Sequence, residues 1–165
     1  MEMFELDKKI IEWARDRGIL TGSSFESQIC YTIMETGEMV EAFIKQDRDS
    51  LALEIGDVAV TLVIARHLLS SDMPCVYQLN QCEELKTPYL ALASLNENVG
   101  LALQHHHTEL NSRRYFVSKA LKALFNFAIV CDLNFLDCVN AAYEKISKRT
   151  GKMANGVFVR DGGHD

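Results

Sequence analysis

Two apolar, helix-periodic runs dominate the N-terminal half: IMETGEMVEAF, Ile33 to Phe43, and LALEIGDVAVTL, Leu51 to Leu62. The charged turn QDRDS, Gln46 to Ser50, separates them. Apolar residues at this spacing predict helices, and a connection this short predicts antiparallel neighbours. Such a hairpin has to bury most of its surface. Yet it carries Glu35, Glu38, Glu41, Glu54 and Asp57 among its Ile, Val, Leu and Met residues.

The spacing of these acids matters. Glu35 and Glu38 are three apart and share one helix face, and Glu54 and Asp57 repeat that step on the next helix. In an antiparallel hairpin the two pairs can face one another. Glu41 continues the first row but rotates away from Glu35. Like charges at such spacing cost about 0.2–0.5 kcal/mol each when exposed and more when buried. Unpaired, partly buried carboxylates raise their pKa or destabilise the fold. One acid pair is ordinarily a solvated face; two pairs on adjacent apolar helices suggest a cation site. Four or five carboxylates with open water positions suit Mg²⁺, or Mn²⁺. Gly37 and Gly56 sit inside the acid motifs, where each costs about 1 kcal/mol relative to Ala. Close approach of a neighbouring helix or of a ligand would account for them.

The rest of the chain reads as further helices. One is expected from Phe4 to Arg17, ended by Gly18. Ser23 and Glu26 in SSFE have capping-box spacing, so a second helix should run from there to about Lys45. With Asp49 or Ser50 as its cap, the third should run from Leu51 to about Ser70. A short helix is expected over Val76 to Leu85, one after Pro88 over YLALASLNENVGLALQ, one over Arg113 to Cys131, and a last one over Phe135 to Lys148. HHHTELNS reads as a loop. The tail GKMANGVFVRDGGHD should be extended or turn-like, with GVFVR as a candidate short strand. The two prolines, Pro74 and Pro88, both fall between periodic segments. The expectation is an all-α helical bundle forming one domain over residues 1–165. A loose likeness between the helix pairs suggests a pseudo-repeat. It would comprise an acid-bearing half, 20–85, a degenerate half, 86–150, and an extended tail, 151–165. In the second half, Lys119 and Lys122 fall near the places of Glu54 and Asp57.

Several classes are excluded or disfavoured. The net charge of −6 argues against a general nucleic-acid partner. Five cysteines with no CxxC pair point to reduced thiols and a cytoplasmic protein rather than a disulfide framework. MEMFELDKKI lacks the basic start and apolar run of a signal peptide. The longest apolar stretch, Val58 to Leu69, is broken by Arg66 and His67 and is too short for a bilayer, so no membrane partner is expected. His105, His106 and His107 are adjacent, do not share a helix face, and read as surface. Trp13 suits a core or interface place, or stacking on a base. No Gly-rich phosphate loop and no catalytic triad is present.

E35-T-G-E38-M-V-E41-A, followed by E54-I-G-D57-V, resembles the MazG family of nucleoside triphosphate pyrophosphohydrolases. Its pattern is ExxE, a variable spacer, then ExxD. Fifteen residues separate Glu38 from Glu54 here. Met34 stands where the family's opening glutamate pair has its first member. The likeness covers about Phe25 to Leu69, and the ending AAYEKISKRTGKMANGVFVRDGG is similar to that of phage-type MazG-like proteins. The resemblance implies an all-α fold built of four-helix units, usually by dimerisation, hence a homo-oligomer. It implies Mg²⁺-dependent cleavage of a nucleoside triphosphate to the monophosphate and pyrophosphate. By position, Glu35, Glu38, Glu54 and Asp57 would be metal ligands. Glu38 and Glu41 would be the catalytic carboxylates, Glu41 as a ligand or as a base orienting the water. Lys145, Lys148, Arg149 and Lys152 would meet substrate phosphates, although a basic last helical turn is also what the macrodipole favours. Asn155 in the matched tail would bind base or phosphate. The alternative from another class is a non-catalytic helical protein that binds nucleotides or alarmones.

Overall fold

The computed structural model describes residues 3–69, 86–105, 109–154 and 157–161. Helix α1 spans Met3–Asp16, and α2 is one turn, Ile19–Gly22. The hairpin helices are α3, Phe25–Lys45, and α4, Arg48–Leu69. A second pair follows: α5, Pro88–Gln104, and α6, Leu110–Val130. Helix α7, Phe135–Ser147, precedes a hairpin of β1, Gly151–Ala154, and β2, Val157–Arg160. Its strands pair antiparallel, with Gly151 opposite Arg160 and Ala154 opposite Val157. The fold is all-α apart from this hairpin. The tail expected to be extended therefore pairs with itself, and both of its segments are strands. The helix expected over Val76 to Leu85 lies outside the described residues.

Local chemistry sets the helix ends. Helix α3 has a capping box, but Ser24 rather than Ser23 is its N-cap. Ser24 Oγ accepts from the Ser27 N–H at 3.1 Å, and Ser27 Oγ accepts from the Ser24 N–H at 3.0 Å. Glu26 is drawn elsewhere: its carboxylate accepts from Arg113 Nη1 at 2.8 Å. Asp47 holds the start of α4, accepting from the Ser50 N–H at 3.1 Å. Thr87 caps α5 ahead of Pro88, the position where a missing N–H costs nothing. Asn134 caps α7 through the N–H groups of Leu136 and Asp137.

Helix α4 is the centre of the molecule. It packs against α1, α3, α6 and α7, and so it is apolar on almost every face. Ile55, Val58, Ala59, Leu62, Val63 and Ala65 are all buried. Burying a side chain such as Ile55 or Leu62 contributes about 1.5–3 kcal/mol. The α3–α4 and α5–α6 pairs meet through α4 with α6 and α3 with α5. One chain thus builds a four-helix arrangement by itself, with α7 laid across α4.

Gly56 explains how closely α7 can lie. A Cβ there would sit 2.2 Å from the Cys138 carbonyl oxygen and 2.6 Å from Ala142 Cβ. The close approach expected of a neighbouring helix is real at Gly56. At Gly37 a Cβ would meet nothing within 4 Å.

Candidate metal and nucleotide site

Two stripes face each other across the α3–α4 hairpin. On α3 they run Gln28, Tyr31, Glu35, Glu38; on α4 they run Glu54, Asp57, Thr61, Ile64. Both follow steps of three, four and three, the rhythm of one helix face. Above the acids the helices are joined by hydroxyls. Thr32 Oγ1, which is buried, and Thr61 Oγ1 lie 2.9 Å apart, and each also faces a backbone carbonyl of its own helix, Gln28 at 2.9 Å and Val58 at 2.8 Å.

Glu35, Glu38 and Glu54 each offer a carboxylate oxygen, and these atoms all lie within 4.8 Å of one another. That spacing lets one hard cation touch all three. Glu54 Oε2 is buried and has no hydrogen-bond partner among the described residues, an arrangement a carboxylate tolerates poorly without a cation. The residues fit a divalent ion. Burial first, then the charges of Asp57, Glu38 and Glu54, pushes Glu35 up to about 7. Glu54 is also raised, by burial first and then by Asp57.

Asp57 stands apart from the three. It is 8% exposed, and its Oδ2 accepts from Lys145 Nζ at 2.6 Å. The Lys145 charge pulls Glu35 and Glu54 back down, against the larger effect of burial. Arg149 acts likewise on Glu54. Of the four basic residues expected to cluster at the end of the last helix, these two act on the acids; only Lys145 lies on α7, Arg149 follows its end, and Lys152 is on β1. Lys148 and Lys152 are exposed and line neither of the cavities described below. Asn155 lies outside the described residues. Glu41 is exposed and pairs with Lys45 one turn on. That pairing holds its carboxyl below the usual range, and it is not one of the three converging carboxylates.

The acids form a shared wall between two cavities. One, of about 270 Å³, is lined by Trp13, Gln28, Tyr31, Met34, Thr61 and Phe158 among others, and by Glu35, Asp57 and Arg149. Its aromatic wall comes from three places: Trp13 on α1, Tyr31 on α3 and Phe158 on β2. The Trp13 and Phe158 ring centres are 6.1 Å apart. Arg17 fixes that end by donating from Nε to the Arg149 carbonyl at 2.9 Å, while its guanidinium lies 5.3 Å from the Trp13 ring centre. The other cavity, of about 320 Å³, is polar. Glu38, Glu41, Lys45, Asp47, Ser50 and Glu54 line it.

Gln28, Tyr31 and Thr61 were legible in the sequence as continuations of the two acid stripes. The spacing that singled out Glu35 and Glu38 reaches Tyr31 and Gln28 when read backwards. Phe158 and Met153, which also line the aromatic cavity, had no such signal, because they approach through the C-terminal hairpin.

The fold and site define a class: an all-α protein whose paired helices gather carboxylates beside an aromatic cavity. Residues 23–76, about a third of the chain, match the family model described as the MazG nucleotide pyrophosphohydrolase domain. The segment that holds both acid motifs is therefore MazG-like. No curated protein and no solved structure gives a significant match. Among the described residues, no helix is long and apolar enough to cross a membrane.

Proposed function

We propose that this chain is a divalent-metal-dependent nucleoside triphosphate pyrophosphohydrolase that releases a nucleoside monophosphate and pyrophosphate. The observation that carries the reading is the position of the acids between an aromatic cavity and a polar one. A nucleoside triphosphate has the same division: a flat, largely apolar base at one end and a polyanion at the other. Base and sugar enter beside Trp13, Tyr31 and Phe158, and the phosphates run across Glu35, Glu38 and Glu54.

Those three carboxylates, with Asp57 beside them, would hold Mg²⁺, or Mn²⁺ in its place. When bound, such an ion screens the phosphates and lowers the pKa of a coordinated water. The chain's own residues do the rest. Glu38 is the exposed member of the three and is placed to orient the attacking water and accept its proton. Arg149 lines the base cavity and acts on Glu54, so it stands where cavity and acids meet and can bind a phosphate. Lys145 neutralises Asp57, which keeps the acid wall from repelling the incoming polyanion. The aromatic wall excludes water from the sugar side.

The test is pyrophosphate release from a panel of ribo- and deoxyribonucleoside triphosphates, with and without Mg²⁺, for the native protein and Glu38→Gln. Mg²⁺-dependent release that the substitution abolishes is the expected result. No release from any triphosphate by folded native protein would overturn the enzymatic reading and favour nucleotide binding without turnover.

A further inference from the structure

The start of α3 contains a hydrogen-bond relay that ends on a buried amide. Ser27 Oγ donates to the Ser24 carbonyl at 2.9 Å, which uses its only hydrogen. In the 2.8 Å contact between the Ser23 and Ser27 hydroxyls, the donor must then be Ser23. With its hydrogen committed, Ser23 Oγ can only accept from Gln28, 2.8 Å away. The atom facing Ser23 is therefore Gln28 Nε2, and the orientation of the amide is fixed by the relay. Gln28 is 5% exposed and lines the aromatic cavity. Its Oε1 is engaged by no hydrogen bond among the described residues. A side-chain amide held with a spare acceptor beside the aromatic residues of this cavity is a recognition element.

We infer that Gln28 is a specificity-determining residue that accepts an N–H from the edge of the bound base, and that Ser23 is the positioning residue which keeps its amide from flipping. This rests on the reading of the aromatic cavity as the base site. The ligand class is a nucleotide whose base carries an N–H donor, either an exocyclic amine or a ring imide. Losing that donor leaves the acceptor unpaired beneath the bound base, which discriminates more strongly than a lost apolar contact. The helix cap thus does two things: Ser24 and Ser27 close the N-terminus of α3, and Ser23 carries the same network to the ligand.

Trp13 is the single tryptophan of the chain and lines this cavity, so its fluorescence reports occupancy without turnover. The experiment titrates native protein, Gln28→Leu and Ser23→Ala in Mg²⁺ buffer. The probes are AMP against N6,N6-dimethyl-AMP and UMP against 3-methyl-UMP. For whichever base binds the native protein, methylation should weaken binding about tenfold. The penalty should fall to about threefold or less in Gln28→Leu, which keeps the side-chain volume and so retains any steric part. Ser23→Ala should lie between the two. An equal methylation penalty in native protein and Gln28→Leu would overturn the proposal. So would the lack of a penalty in native protein, or no response to either nucleotide. Pyrophosphate release judges the enzymatic reading separately. A Gln28-dependent penalty without release would remove the enzyme and leave this inference. Release with no Gln28 dependence would do the reverse.

Discussion

Lys145 on α7 donates to Asp57 on α4 at 2.6 Å, across 88 positions of sequence. The pair joins the C-terminal helix to the acid-bearing hairpin one turn of α4 below Glu54. Asp57 is nearly covered, while about a third of the Lys145 side chain remains exposed. Removing the lysine leaves a buried carboxylate without its cation. For fully buried pairs that costs about 3–5 kcal/mol. The exposed part of Lys145 reduces this to about 1–2 kcal/mol. Lys145→Met should therefore lower Tm by about 2–8 °C in metal-free protein, since 1 kcal/mol corresponds to about 2–4 °C at this chain length. Saturating Mg²⁺ should recover part of the loss. An unchanged metal-free Tm by calorimetry would show that Asp57 does not depend on this partner.

Glu35 sets a pH dependence of stability. Burial, then Asp57, Glu38 and Glu54, raises it from its ordinary 4.5 to about 7. A carboxyl with a raised folded value binds its proton more tightly in the folded state. Its contribution is present in full below 4.5 and is lost as pH rises to about 7. His67, lowered from 6.5 by burial, slopes the opposite way in part of this window. The measurement is therefore the difference between native protein and Glu35→Gln. Without metal, the variant should gain Tm relative to native protein as pH rises from about 4.5 to 7. With Mg²⁺ bound to the native site, that gain should vanish or reverse. A difference that stays flat with pH in EDTA would mean that Glu35 ionises normally.

Gly56 and Gly37 should respond oppositely to the same change. At Gly56 an added methyl meets backbone and Cβ atoms of α7 at 2.2 and 2.6 Å. Neither is a flexible tip, so α4 and α7 must separate. Gly56→Ala should cost about 3 kcal/mol, the upper part of the usual range for overpacking. At Gly37 the space is open, and Ala should stabilise the helix by about 1 kcal/mol. Urea unfolding of both variants checks the pair. Similar losses in both would contradict the placement of α7 against Gly56.

These positions also show what the sequence could and could not disclose. The acid stripes and the α3–α4 hairpin were readable because i, i+3 spacing and a short polar turn are local signals. Gly56 was readable as a close contact, though whether helix or ligand made it was not. The capping box was placed one residue early because SSFE offers two serines. Glu26 would have completed the box, but in the fold it goes to Arg113. The Lys145–Asp57 pair, and the arrival of Phe158 at Trp13, depend on how α7 and the C-terminal hairpin dock. No periodicity within a helix encodes that. For the same reason Lys145, Lys148, Arg149 and Lys152 looked like one cluster, whereas α7 ends at Ser147 and of the four only Lys145 and Arg149 act on Glu35 and Glu54.

Glu38 and Glu41 separate two roles that the motif alone merges. Glu38 shares the three-carboxylate group with Glu35 and Glu54. Glu41 lies one step further along α3, exposed and paired with Lys45. If the converging group holds the cation, Glu38→Gln removes a ligand charge at the reacting centre. The expected loss in kcat/KM is about 100-fold or more, the scale of removing a preorganised electrostatic contact. Glu41→Gln breaks a solvent-exposed ion pair, which solvent and salt screen and which therefore contributes little. Its kcat/KM should stay within about fivefold of native. Steady-state pyrophosphate release in Mg²⁺ decides between them. A loss at Glu41→Gln as large as at Glu38→Gln would place Glu41 at the reacting centre. The Glu41–Lys45 pair would then have to open when the triphosphate binds.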